Sequence, residues 1–287
     1  MKKLQTLLIT VFCISVTSLF AQDDLMSLLD DQTEDPIQFI EATFKGSRLI
    51  NGHTVQTRKH RELEFLISHR FGRVNSGADE LFGLDVSNIR LGLEYGLTKF
   101  LTVGVGRSSF DKTFDGFLKV KPLKQSKGAK SMPISLVYFT SMAYKSLKNQ
   151  DGFEDTESKL AYTHQILIAR KFSPGLSFQL MPTLIHRNKV EEINGDNDQF
   201  ALGIGGRVKL TQRVSLNAEY YYRYDAPENP DLFNSLAIGF DIETGGHVFQ
   251  LHFTNSRTMI ERGFITETTG DYFGGDIHFG FNVSRVF

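Results

Sequence analysis

Apolar and polar side chains alternate strictly along this chain, in repeated segments of about ten residues that run from Arg61 to the carboxyl-terminal Phe287. One segment places Phe249, Leu251 and Phe253 at alternate positions, with polar residues between them. Successive side chains of a β-strand point to opposite faces, so one face of each segment suits lipid and the other suits water. This pattern predicts a transmembrane β-barrel.

The connections between these segments alternate between tight turns and longer loops rich in Gly, Asp and Asn. Bacterial single-chain barrels have an even number of strands, short periplasmic turns and longer extracellular loops. We therefore expect an all-β, antiparallel transmembrane barrel of about 12 strands over residues 61–287. Tight turns are expected at residues 97–99, 125–130, 173–175, 211–213 and 245–246. The predicted strands are residues 61–71, 88–96, 100–108, 116–124, 133–143, 160–171, 176–187, 199–210, 214–223, 234–243, 247–254 and 276–287.

The period of two also assigns a face to each side chain of the wall. Apolar sets such as Ile89, Leu91 and Leu93 should meet lipid, and charged residues of the opposite parity should point inward. A charge that met lipid at the membrane midplane would cost about 2–4 kcal/mol. The candidate lumen-lining residues are Arg90, Glu94, Arg187, Arg207, Lys209, Glu219 and Asp241.

The first residues are typical of a signal peptide. Lys2 and Lys3 precede an apolar run at residues 7–20, and Ala21 offers a small residue for cleavage. We therefore predict a signal peptide over residues 1–21 and export to the outer membrane. The only cysteine, Cys13, lies inside this leader, so the mature chain can hold no disulfide and no thiolate site.

Residues 22–60 form a separate amino-terminal segment in this interpretation. Its first part is acidic, and residues 41–51 contain a candidate strand. An extra strand would make the wall odd-numbered, which favours a place outside the wall or a role as a plug. Arg48, Asn51 and His53 lie beside the turn at Gly52 and are candidates to plug the lumen or contact a periplasmic partner. The alternative is that Asn51 and Gly52 only form a turn.

Composition and motifs argue against several classes of function. The 32 Lys and Arg residues balance the 33 Asp and Glu residues, which gives no reason to expect a nucleic-acid partner. No motif for a nucleotide, a metal ion or another cofactor is present, so we expect none. His164 on the outer face could approach Thr140 or Ser141, but a catalytic triad needs a third group that the sequence does not offer. We therefore expect no enzyme.

Three stretches, TFKGSRLINGHTVQT, EFLISHRFGRVNSGADELFGLD and IRLGLEYGLTKFLTVGVGRSSFDKTFDGFLKVK, carry a family resemblance. They resemble a family of Gram-negative β-barrel proteins known only as a domain of unknown function. The resemblance covers about the first half of the mature chain, implies an outer-membrane barrel and brings no activity.

The carboxyl-terminal strand carries a second resemblance. Phe287 in last place, preceded at alternate positions by Val283, Phe281 and Phe279, is similar to the closing strand that the barrel assembly machinery recognises. Arg285 departs from that apolar series. The resemblance implies the assembly machinery as a partner, and the apolar outer face of the predicted barrel implies outer-membrane lipid as another.

The leading functional hypothesis is a narrow channel or ligand-binding barrel for a small solute or a lipid-like molecule. Its lumen would be lined by Arg90, Glu94, Arg207 and Glu219, or closed by ion pairs among those same residues. One alternative is a structural or docking barrel that holds a periplasmic or surface partner. A lipid-modifying enzyme is the other alternative, with the least support.

Overall fold

A computed structural model describes residues 36–147, 155–190, 196–224 and 231–287. Twelve strands form a closed antiparallel barrel, which confirms the predicted fold class and strand number. The predicted signal peptide and residues 22–35 lie outside the described residues.

The predicted strand boundaries agree with the observed ones to within three residues, because alternation extends along nearly the whole of each strand. The described part of the chain also has a short α-helix, α1 (Glu261–Thr266), and 3-10 turns at Val74–Ser76, Ala78–Gly83, Phe110–Lys112 and Glu157–Lys159. The strands are β1 (Gln38–Phe39), β2 (Leu63–Arg73), β3 (Ser87–Gly96), β4 (Leu101–Ser108), β5 (Thr113–Leu123), β6 (Ser126–Lys127), β7 (Ser135–Lys145), β8 (Leu160–Ser173), β9 (Leu176–Arg187), β10 (Asp198–Lys209), β11 (Val214–Tyr224), β12 (Ser235–Thr244), β13 (His247–Thr254) and β14 (His278–Val286).

The wall consists of β2–β5 and β7–β14, and its seam joins the first of these strands to the last. Strand β14 pairs with β2, and Leu63 and Phe287 exchange backbone hydrogen bonds of 2.8 and 3.3 Å at the end of that seam. Strand β1 lies outside the wall and pairs with β6, in the connection between β5 and β7. The predicted tight turn at residues 125–130 is therefore part of a longer connection that carries a small two-stranded ribbon.

The two ends of the barrel differ in their connections. One end, which we call the turn end, carries both ends of the wall and short links such as residues 174–175 and 245–246. The opposite end, which we call the loop end, carries long connections such as residues 74–86 and 255–277.

The faces of the wall follow the predicted parity. Outward residues such as Leu91, Leu202 and Phe240 are 45, 45 and 42 % exposed, whereas inward Glu94, Gln179 and Asn217 are almost fully buried. The described residues contain no helix with the length and apolar character needed to cross a membrane.

Candidate functional site

A hairpin of the amino-terminal segment lies inside the barrel. Residues 43–55, which we call the plug, enter from the turn end, reverse direction and return to it. The N–H of Leu49 donates to the carbonyl of Gly52 (2.8 Å), and the N–H of Thr54 donates to the carbonyl of Ser47 (2.9 Å). The turn expected at Asn51 and Gly52 therefore exists, but it lies within the lumen. Residues 41–51 form no strand, so the candidate strand there was wrong.

The tip of the plug is held by Glu219 on β11. The carboxylate of Glu219 accepts hydrogen bonds from the N–H groups of Asn51 (2.7 Å) and Gly52 (3.2 Å). The side chain of Asn51 accepts a hydrogen bond from Arg70 and donates one to the hydroxyl of Thr254 (3.3 Å). All these groups are buried, so each lost contact would leave a polar atom without water.

Other wall strands also contact the plug, and they do so around the whole circumference of the lumen. Each contact uses an inward polar side chain and a backbone or side-chain group of the plug. The further wall residues are Glu94 on β3, Lys119 and Lys121 on β5, Gln179 on β9, Glu243 on β12 at the turn end, Gln250 on β13 and Asn282 on β14.

Glycines of the wall leave room for the plug. A Cβ atom added to Gly205 would lie 2.2 Å from Cδ2 of Leu49, so this leucine occupies the space that a side chain at position 205 would fill. Near the turn end, a Cβ atom on Gly96 would lie 1.9 Å from the carbonyl oxygen of Lys59. The wall and the hairpin are therefore complementary in shape as well as in polarity.

A second segment fills the lumen from the loop end. Residues 255–268, which we call the inserted loop, include α1, and all six residues of α1 are buried. Phe264 of α1 contacts the ring of Tyr221 on β11 edge-on at 5.1 Å. Glu267 at the end of α1 forms ion pairs with Lys145 on β7 (3.3 Å) and Arg262 (2.7 Å).

The plug and the inserted loop meet at an ion pair. Nη1 of Arg48 lies 3.0 Å from Oε1 of Glu261, and both side chains are 4 % exposed. Nε2 of His53 lies 3.6 Å from the same oxygen. The ring of His53 lies between those of Phe117 and Phe139, tilted to both, with ring centroids 4.5 and 4.4 Å away.

Burial shifts the pKa values of these groups. Burial raises the pKa of Glu261, against the opposing effect of the Arg48 charge. Burial, followed by the positive charges of Arg48 and Lys119, lowers the pKa of His53 well below its ordinary value. In the plugged barrel, His53 is therefore neutral at physiological pH.

Two of the predicted plug or partner candidates, Arg48 and Asn51, thus bond directly inside the lumen, and His53 lies between them and the aromatic wall. The seven lumen-lining candidates differ in their surroundings. Arg90 is fully buried and forms a two-point ion pair with Asp115 on β5. Glu94 accepts a hydrogen bond from the hydroxyl of Ser47 (3.1 Å) and lies 3.9 Å from Nζ of Lys119.

The other candidates lie nearer the two ends. Arg207 donates to the hydroxyl of Ser215 (2.7 Å), and Asp241 accepts from Gln250 (2.8 Å). Arg187 is buried near the loop end and donates to the carbonyl of residue 196 (3.1 Å). Lys209 has the inward parity but is exposed at the turn end of β10, so it does not line the closed part of the lumen.

Sequence reasoning missed the inserted loop and its Glu261. The signal that could have revealed it is a set of four large apolar residues inside a loop expected to meet water. These residues, each at most 6 % exposed, are Met259, Ile260, Phe264 and Ile265.

The outer wall carries a small polar cluster around His164. Nδ1 of His164 lies 2.8 Å from the hydroxyl of Tyr138 and 3.1 Å from that of Thr140. Within the described part of the chain, no carboxylate forms a hydrogen bond or an ion pair with His164, Tyr138 or Thr140.

Comparison with known proteins gives one family match. Residues 44–287 match a family model described as "Membrane bound beta barrel domain (DUF5777)". The matched region includes the whole wall and all of the plug except residue 43. No curated protein matches the chain.

Several solved structures are similar in fold at low sequence identity. They include a KdgM porin (9 % identity, 78 % of this chain and 98 % of that chain, TM-score 0.46) and an outer membrane channel from Pseudomonas putida F1 (11 % identity, 81 and 97 %, TM-score 0.46). A third is the outer membrane protein Omp33 of Acinetobacter baumannii (8 % identity, 79 and 98 %, TM-score 0.44).

Proposed function

Because this chain belongs to the family of membrane-bound beta barrel domains of unknown function, as the resemblance predicted, we propose that it is an outer-membrane channel for small solutes, closed by its plug and able to open. In this proposal the turn end faces the periplasm and the loop end faces the exterior. The plug and the inserted loop are the two parts of the gate.

The observation that carries the proposal is the way in which the plug is attached. Among the described residues, every hydrogen bond between residues 43–55 and the wall uses a side chain on at least one side. The plug is therefore not a strand of the sheet, and its departure would break no backbone pairing of the wall.

The dimensions of the wall support the same conclusion. Barrels of eight strands are filled by their own side chains, whereas those of sixteen leave an aqueous channel. This wall of twelve strands encloses a hairpin of the chain together with α1, so its own side chains do not fill it. A lumen without the plug would expose charged and amide side chains beside an apolar surface formed by residues such as Phe139, Leu167 and Ile185, so its polar side suits hydrated solutes.

A reversible lock on the plug tests the proposal. The mature chain is expected to have no cysteine, so Leu49→Cys and Gly205→Cys would introduce the only thiol pair. The Cβ position of Gly205 lies 2.2 Å from Cδ2 of Leu49, so the two introduced side chains would lie side by side, as a disulfide requires. We expect wild-type protein in planar bilayers to show transient openings, the oxidised double variant to show none, and reductant to restore them.

The single variants Leu49→Cys and Gly205→Cys are the matched controls, and oxidation should leave their openings unchanged. A deletion of residues 43–55 should give a long-lived conductance. The proposal fails if a deletion variant that is folded, as judged by heat-modifiable migration on a gel, passes no ions.

A further inference from the structure

The turn end contains an open cavity beneath the plug. It has a volume of about 720 Å³ and lies between residues 40–45, residues 56–60 and the ends of the wall strands. We call this cavity the vestibule. It is the space that a solute would enter from the turn end before reaching the plug.

The vestibule is positively charged. Six basic and two acidic residues line it, and two further carboxylates, those of Glu64 and Glu243, pair with basic residues of the lining, which leaves an excess of two positive charges. A concave surface of one sign concentrates ions of the other sign. The basic residues are Lys45, Arg58, Lys59, Lys99, Lys121 and Lys124, and the acidic residues are Glu41 and Glu62.

Four of the six basic residues already have carboxylate partners. Lys45 pairs with Glu243, Arg58 with Glu64, Lys59 with Glu62 and Lys124 with Glu41. Across the described ranges, Lys99 and Lys121 take part in no ion pair. These two lysines are therefore the charges of the vestibule left for a ligand.

The fold places Lys99, in the turn that precedes β4, beside the end of β5, which carries Lys121. The backbone N–H of Lys121 on β5 donates to the carbonyl of Phe100, the residue after Lys99 (2.8 Å). Nζ of Lys121 donates to the carbonyl of Val55 at the end of the plug (2.9 Å). An ammonium group has three donors, so Lys121 can hold the plug and still offer hydrogen bonds to an anion.

We infer that the vestibule binds a small oxyanion, a solute bearing phosphate or carboxylate, between Lys99 and Lys121. As the substrate class of the channel, this inference rests on the proposed function; as a binding site, it stands on the vestibule alone. Because Lys121 also bonds the plug, an anion that draws its ammonium group away from Val55 weakens one anchor of the closed state.

Titration calorimetry of the closed, detergent-solubilised protein with inorganic phosphate, at constant ionic strength, tests the site. We expect saturable binding to the wild-type protein. Lys99→Gln should weaken it about two- to fivefold, as expected for one exposed charge. Lys121→Gln should weaken it about tenfold or more, since its partly buried charge is less screened.

Lys127→Gln is the matched control, because Lys127 on β6 is exposed near the turn end and does not line the vestibule. It should bind phosphate as the wild-type protein does. Absence of saturable binding, or an equal loss in Lys127→Gln and Lys99→Gln, would overturn the inference. Saturable, lysine-dependent binding by a protein that never conducts would keep the site and remove the channel.

Discussion

Nη1 of Arg48 and Oε1 of Glu261 lie 3.0 Å apart in the interior of the barrel, although the two residues reach this point from opposite ends. The ion pair joins the plug to the inserted loop. Two charges buried together are stable only as a pair, since the loss of either one leaves the other without solvent or partner. The lumen is therefore closed by two segments, the plug and the inserted loop, that bond to each other.

Arg48→Met should open the channel. It leaves Glu261 unpaired in a buried site, and breaking such a pair costs about 3–5 kcal/mol. We expect the ratio of open to closed time in planar bilayers to rise by about 100-fold or more. In Arg48→Met/Glu261→Gln, where both charges of the pair are removed, most of the increase should disappear. An unchanged ratio in the single variant would contradict a gating role for the pair.

Glu219→Gln should weaken the tip of the plug. Glutamine offers one acceptor oxygen in place of two and carries no charge, so the hydrogen bonds from the N–H groups of Asn51 and Gly52 become fewer and weaker. The cost of about 1–3 kcal/mol should raise the open ratio by about five- to 150-fold. Glu243→Gln at the half-exposed rim is the control and should change little. The reverse ranking would rule out Glu219 as the main anchor.

Acidification should favour opening through His53. Its pKa is lowered in the plugged state, so a released plug takes up a proton below pH about 6.5 while the docked plug does not. Above pH about 6.5, His53 is neutral in both states, and the free energy of docking does not depend on it. Below that pH, the favourable free energy of docking falls by up to about 1.4 kcal/mol per pH unit. Open time recorded between pH 7.5 and pH 5 measures the effect.

The charged groups that face His53 are Arg48, Glu261, Lys119 and Arg90. Glu261 acts in the opposite direction, because its raised pKa makes the docked state hold a proton more readily. In His53→Phe, which keeps an aromatic ring at the site, acid-induced opening should vanish and the weak closing effect of Glu261 should remain. Retention of acid-induced opening would assign the pH response to another group.

Gly96→Val should displace the chain where it leaves the plug. A side chain there would overlap the carbonyl of Lys59, and overpacking of this kind costs about 1–3 kcal/mol. The temperature at which the folded gel band disappears should fall. Gly116→Val is the control on another wall strand, because its Cβ atom would meet nothing closer than 3.9 Å. Equal losses in both variants would mean that β-strand glycines matter generally.

The wall could be predicted from the sequence because one face of each strand meets an apolar environment and the other a polar one. That difference produces a period of two, which fixes strands such as β9 and β13 at the residues expected. The even number of strands also argued that residues 41–51 are not part of the wall. An antiparallel wall with an even number of strands begins and ends on the same side of the membrane, and one more strand would break this rule.

The plug could not be predicted in the same way. Most of the plug is surrounded by protein, so the side chains of Leu49 and Asn51, which share a parity, meet the space above Gly205 and the guanidinium group of Arg70 respectively. Such surroundings produce no regular alternation of apolar and polar residues along the plug. The partners Glu219 and Glu261 lie 168 and 213 positions away from their plug residues in the sequence, and only the closed fold brings them together.

Both limbs of the hairpin are tied down at the same rim, by Ile40 to Gln125 on one side and by Arg61 to Gly96 on the other. The plug is thus a loop inside a ring, and both of its connections to the rest of the described chain lie at the turn end. The wall can therefore close before the plug enters it. The plug can also leave the lumen and return without breaking the pairing of any two strands. Assembly of the closed barrel and opening of the channel would then use the same reversible movement of the plug.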